Sequence, residues 1–220
     1  MACHNNNKSA CIFWGDAWFS PLQNHSVREC FANPHKIDFY SYSFTRASTA
    51  DVPFVVNQLL NIEQQQESLY SHMSQANQLP PWAICKSWIR NLLCLEQAVT
   101  AVHQQPQCNQ YQQILLINHG VQLMSLFDFD NHNPSNLLYA SSLSMFGFNA
   151  NWMLVDQVTF AKLTDITSKL ENIVRDPSVN FFQPGDLIWQ LLHTQSIVCE
   201  PTDVDVRLAL YQLNGACKIV

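Results

Sequence analysis

The chain has 220 residues, 47% of them hydrophobic, enough to bury a sizeable core in one large domain or two small ones. Only 13% are charged, and the net charge is −6 with 11 Lys and Arg. That balance argues against nucleic acid as a main partner and against docking on anionic membranes, since both need a basic patch.

No apolar run approaches the about 18 residues of a membrane span, so no transmembrane segment is expected. The opening MACHNNNKSACIFWGD is too briefly apolar for a secretory leader, and it lacks a basic flank. The eight cysteines follow no C-x-x-C spacing, which favours free buried thiols over a disulfide framework. Cytoplasm is the expected compartment.

In chain order, residues 10–14 form a short apolar strand ended by Gly15-Asp16. IDFYSYSF, residues 37–44, alternates and is rich in aromatics, a second strand. Residues 52–75 lack Gly and read as a helix, with Asp51 as N-cap and Pro53 in the first turn. Leu79-Pro80-Pro81 breaks the chain, and residues 84–103 read as an amphipathic helix. Residues 114–117 are a continuous apolar strand of the kind buried on both faces of a sheet. A strand over 136–141, a helix over 156–174, a short helix over 185–194 and strands over 197–200 and 204–213 follow.

No repeat or low-complexity linker divides this series. Strands alternating with helices predict a single α/β domain over residues 1–220, with a mixed, mainly parallel sheet flanked by helices. In such sheets ligands bind beyond the carboxyl ends of the strands. That rule selects Gly15-Asp16, Thr45-Arg46 and the loop over 118–130.

Asp128-x-Asp130 closes that loop. In extended backbone its two carboxylates face the same way. Mg²⁺ or Mn²⁺ takes such oxygen ligands together with substrate phosphates, and His132 nearby offers a nitrogen. FDFDNHNPSN is equally an acidic turn rich in turn formers. Asp156 opens a helix, either as its N-cap or as a carboxylate held over a sugar. Asp186 also sits at a helix start, where it favours the dipole. Arg207 in VDVRLALY suits a diphosphate or a pairing with Asp203 or Asp205. Gly15-Asp16 with Ser20 suggests an esterase-like hydrolase, but no Asp-x-x-His, G-x-S-x-G or P-loop accompanies it.

Seven segments together resemble a family of short glycosyltransferases with a GT-A-like fold, of the kind found in polysaccharide gene clusters and large viruses. Residues 9–15 resemble its opening strand and glycine, and residues 37–44 its second strand, an Asp followed by alternating aromatics. Residues 82–102 sit where its central helix lies, and 111–123 resemble the strand that carries an Arg-x-Asp element. Residues 154–161, with Asp156-Gln157, Phe182-Gln183-Pro184 and residues 204–207 complete the pattern over nearly the whole chain. Two positions differ. Asn118-His119-Gly120-Val121-Gln122 stands where the Arg and Asp usually are, and Gly15-Asp16-Ala17-Trp18 has no Arg.

The resemblance implies a nucleotide-diphospho-sugar transferase fold that moves a sugar from a nucleotide-sugar donor to a glycan or other hydroxyl acceptor. Asp128 and Asp130 are the expected ligands of Mn²⁺ or Mg²⁺, with His119 as a phosphate or metal neighbour. Asp156 is the expected acceptor-side base or sugar contact. Gly15 forms the donor loop, Arg207 meets phosphate, and Trp14 and Trp18 stack on the base or belong to the core. The two differing positions motivate a second reading, a non-catalytic binding protein on the same fold. The Ser20 hydrolase ranks third. The first reading requires Gly15, Asp128, Asp130 and Asp156 to converge on one cleft.

Overall fold

The computed structural model describes residues 8–16, 27–44, 92, 94–143, 148–166, 169, 184–211 and 217–219. Six strands form the main sheet: β1 (Lys8–Asp16), β2 (Ile37–Phe44), β3 (Tyr111–Asn118), β5 (Leu137–Ala140), β6 (Trp152–Asp156) and β7 (Cys199–Thr202). Their order is β2-β1-β3-β6-β5-β7. β1 is parallel to both β2 and β3, β6 is antiparallel to β3 and β5, and β5 is parallel to β7. β6 is therefore the one reversed strand, and the sheet is mixed and mainly parallel. A second, antiparallel sheet joins β4 (Val121–Leu123), β8 (Val206–Tyr211) and β9 (Cys217–Ile219) in the order β4-β8-β9.

Period-2 alternation sends the side chains of each strand to two faces, and both are buried, as a mainly parallel sheet requires. On one face Ala10, Ile12 and Trp14 of β1 join Ile114 and Leu116 of β3 and Met153 and Val155 of β6. Among the described residues three α-helices cover that face: α1 (residues 94–103), α2 (Gln157–Lys162) and α3 (Pro184–Thr194). α1 contributes Leu95, Ala98, Val99 and Val102, the i, i+3, i+4, i+7 stripe of an amphipathic helix. Ser196, at φ 56°, ends α3 in a left-handed turn in which Ile197 N donates back to Leu192 O at 3.0 Å.

Among the described residues the opposite face carries no α-helix, only short 3-10 turns. Cys11, Phe13, Leu115, Ile117, Trp152 and Leu154 pack there against Phe31, Phe127 and Phe129, against Val121 and Val206 of the second sheet, and against Val204 just before it. The mixed, mainly parallel sheet flanked by helices is as expected, and among the described residues an aromatic loop cluster and a small sheet cover this second face. The expected strands and the helices over 84–103 and 185–194 are present where described. The helix expected over 156–174 begins as the α-helix Gln157–Lys162 and passes into a 3-10 turn, Leu163–Asp165, and residues 167–168 and 170–174 lie outside the described ones. The helix expected over 52–75 lies outside the described residues.

Candidate functional site

The chain leaves β1 for β2 on one side and later returns to pair β3 on the other. Strand order therefore reverses at β1, and the crevice at such a point lies beyond the carboxyl ends of the two parallel strands. Here those ends are Gly15-Asp16 and Asn118. Asn118 Oδ1 accepts from Gly120 N at 3.0 Å, an Asx turn that leads β3 into β4. His119 N donates to Trp14 O at 2.7 Å, holding this turn against the end of β1.

Gly15 sits at φ +141°, a backbone region that favours glycine. A Cβ there would lie 3.3 Å from Asn118 Nδ2 and 3.4 Å from both His119 Cβ and His119 N. The missing side chain is what lets the β3–β4 turn close over β1. His119 is 1% exposed, and its Nε2 shares a 3.3 Å hydrogen bond with Ser41 Oγ on β2. Ser41 pairs with Phe13, so this bond reaches across β1.

Gly15 and His119, both expected at the donor site, are thus brought together. Arg207 is exposed on β8 and stands opposite Gln122, two positions beyond Gly120, so the second sheet carries it away from the same turn. Trp14 departs from expectation as a stacking face. At 2% exposure it belongs to the core under the helices, because its position in β1 directs it to the face opposite Gly15.

Asp128, Asp130 and Asp156 lie at the other edge of the sheet. Asp156 pairs in register with Gln113, which pairs with Ser9 near the start of β1. A shallow cleft at that edge is lined by Ser9, Asn33, Lys36, Gln113, Asp128 and Asp130. From Ser9 to Gly15 the strand rises roughly 20 Å at about 3.3 Å per residue. The expected convergence of Gly15, Asp128, Asp130 and Asp156 on one cleft does not occur.

The physical reason is aromatic. Phe127 and Phe129 are buried, and Phe31 pairs with both rings at 6.0 and 6.1 Å. Phe127 N also donates to Cys30 O at 2.7 Å. Asp128 between these anchors and Asp130 just after them are left at the amino-terminal edge, Asp128 partly buried and Asp130 exposed. His132 stacks on Phe127 at 5.0 Å, and burial lowers its pKa against the opposing pull of Asp128.

Asp128 and Asp130 do not fit a cation site as they stand. Asp128 Oδ1 accepts from Asp130 N at 3.1 Å, capping its own 3-10 turn. Asp130 is exposed and faces Lys36 Nζ at 3.9 Å. Among the described residues no three His, Cys, Asp or Glu side chains gather as a metal-ligand set. Asp156 is likewise engaged: its Oδ1 accepts from Thr159 N at 2.7 Å and caps α2. Asp186 lies in the first turn of α3. Trp18, Ser20 and Thr45-Arg46 lie outside the described residues.

Ser41 is the crevice residue that sequence reasoning missed. The alternation in IDFYSYSF marks it as one of two serines following Ile37 and Phe39 on one face, but only the fold sets it against His119.

No protein-family model matches the chain, and no curated protein matches it. Its structure is similar to two solved structures of the glycosyltransferase GlyE of Streptococcus pneumoniae TIGR4, at 14% and 15% identity and TM-scores of 0.44 and 0.43. These matches cover 88% and 89% of this chain but 45% of GlyE, so the chain spans less than half of that protein's length. It is also similar to a glycosyltransferase involved in glycosylation of the major capsid of PBCV-1, at 10% identity and a TM-score of 0.44, covering 89% of this chain and 82% of that one. No helix of the described residues is long and apolar enough to cross a membrane.

Proposed function

We propose that this chain transfers a sugar from a nucleotide-sugar donor to a glycan or other hydroxyl acceptor, and that the nucleoside diphosphate lies in the crevice beyond β1 and β3. The observation that carries this reading is the reversal of strand order at β1, with a glycine near the strand end over which the β3–β4 turn closes. The sequence resemblance over nearly the whole chain points to the same chemistry. Transfer leaves negative charge on the departing diphosphate, and fixed donors at the crevice stabilise it. In this reading His119 serves the donor, and Arg207, exposed on the second sheet, stands away from the crevice turn. At the opposite edge Asp128 and Asp156 serve as turn and helix caps and Asp130 faces Lys36, and no step is routed through a metal held by them.

The test is a thermal-shift screen of the purified chain with UDP, GDP, ADP and CDP, each with and without Mn²⁺ or Mg²⁺. A ligand that binds only the folded state stabilises by about 2.7 kcal/mol at a hundred times its dissociation constant. A rise with one nucleotide that survives Asp128→Ala plus Asp130→Ala and is lost in Gly15→Val supports the crevice. No rise with any nucleotide removes the transferase reading and leaves a binding protein of other specificity.

A further inference from the structure

On the face of the sheet away from the helices, the side chains change character toward the carboxyl end. Ile37, Phe39, Ser41 and Ser43 follow one another on that face of β2, and Cys11, Phe13 and Gly15 on that face of β1. The apolar core stops at Phe13 and Phe39, and above it stand two exposed serines, a glycine and the edge of a buried histidine. A core that simply thinned out would expose its apolar side chains. Here it ends in a polar shelf beside the crevice.

Within this shelf the hydrogen bond between Ser41 Oγ and His119 Nε2 joins an exposed group to a buried one. Burying an imidazole is costly without partners, and this ring directs Nε2 to a hydroxyl that stays open to solvent. The bond fixes the rotamer of the serine and leaves the rest of its hydrogen-bonding capacity facing outward. A preset hydroxyl loses little freedom when a ligand arrives.

We infer that the Ser41 hydroxyl contacts a hydroxyl-bearing ring of the donor, its ribose or its transferred sugar, and that His119 is the positioning residue that aims it. The inference rests on the transferase reading above. A hydroxyl that both donates and accepts suits sugar hydroxyls, which do the same.

The experiment is isothermal titration of the full chain with UDP, GDP and ADP and with UDP-glucose, GDP-mannose and ADP-glucose. It compares the wild type with Ser41→Ala, His119→Gln and His119→Ala. Loss of one neutral hydrogen bond weakens binding by about three- to tenfold. We expect that loss in Ser41→Ala when binding is read at a temperature at which the ligand-free variant is still folded. We expect His119→Gln, which keeps a polar group toward Ser41, to bind more tightly than His119→Ala. An equal loss for diphosphate and sugar conjugate assigns the ribose, and a loss for the conjugate alone assigns the sugar. Wild-type affinity in Ser41→Ala would overturn the inference while leaving the transferase reading intact, and because Ser41 is exposed this arm does not depend on His119 variants folding. Absence of nucleotide binding by the wild type would overturn both.

Discussion

The Tyr111 hydroxyl donates a 2.7 Å hydrogen bond to Asp38 Oδ2, tying β3 to β2 across the strand that lies between them. The same oxygen accepts from Lys8 Nζ at 2.6 Å, and Tyr40 OH lies 2.5 Å from Tyr111 OH and accepts from Gln107 Nε2 at 3.0 Å. Since Tyr111 spends its proton on Asp38, Tyr40 donates to Tyr111. One directed chain thus locks the amino-terminal edge of the three parallel strands, opposite the proposed crevice.

Burial pushes the Asp38 carboxyl up, but the hydrogen bonds from Lys8 and Tyr111 outweigh it and hold the group below its ordinary range. Its folded pKa is depressed, so its stabilisation is present above the unfolded value near ~3.9 and is lost as pH falls through the folded value. Asp38→Asn should cost about 1 kcal/mol at pH 7, discounted for the part-exposed Lys8. Urea melts at pH 7 and pH 3 check this: the difference from wild type should shrink at the lower pH.

At Tyr111 the sign reverses. Burial, together with its bonds to Tyr40 and Asp38, raises the phenol far above its ordinary range. Its contribution is full below the unfolded pKa of about 10 and is lost as pH rises beyond it. Between pH 9 and pH 11 the wild type should lose more of its stability than Tyr111→Phe, read from the urea midpoints.

His132 has a depressed folded pKa because burial opposes its charge. The unfolded chain then takes up the proton first, so stability falls as pH drops through about 6.5 toward the folded value. His132→Asn should flatten the fall in urea midpoint between pH 7.5 and pH 5.5, although it loses the stack on Phe127.

Gly15→Ala places a side chain at φ +141° and within 3.3 Å of Asn118 Nδ2. Such backbone strain costs about 1–3 kcal/mol. The variant should melt earlier and, because the β3–β4 turn must shift, bind nucleotide more weakly in the same thermal-shift screen.

Asp128→Ala and Asp156→Ala each remove a cap, 3.1 Å from Asp130 N and 2.7 Å from Thr159 N respectively. Each should cost about 1 kcal/mol by urea denaturation. Neither should change nucleotide affinity in titration calorimetry, and a tenfold loss in either would return the carboxylates to the donor site.

Much of the strand series was legible because its signals are local. The alternation of IDFYSYSF and the apolar run ILLI are set by neighbours along the chain, and both are strands of the main sheet. The three-residue strand β4 was not legible, since Val121–Leu123 becomes a strand only by pairing with β8. β6 was not among the strands read from the sequence, since WMLV holds fewer β-branched residues than ILLI to mark it.

The sequence by itself determined the α/β class, the glycine near the end of β1, and which aspartates are available for chemistry. Only the tertiary structure decided which end of the sheet each residue occupies. Phe127 and Phe129, by burying themselves against Phe31, carried Asp128 and Asp130 to the amino-terminal edge. Register set Asp156 beside Gln113 at that same edge, while the turn at Asn118 folded His119 back over Gly15 and onto Ser41. A residue's type and its neighbours in the chain state what it can bind, but the direction of a strand and the pairing across it are long-range properties. They emerge only when the core is packed.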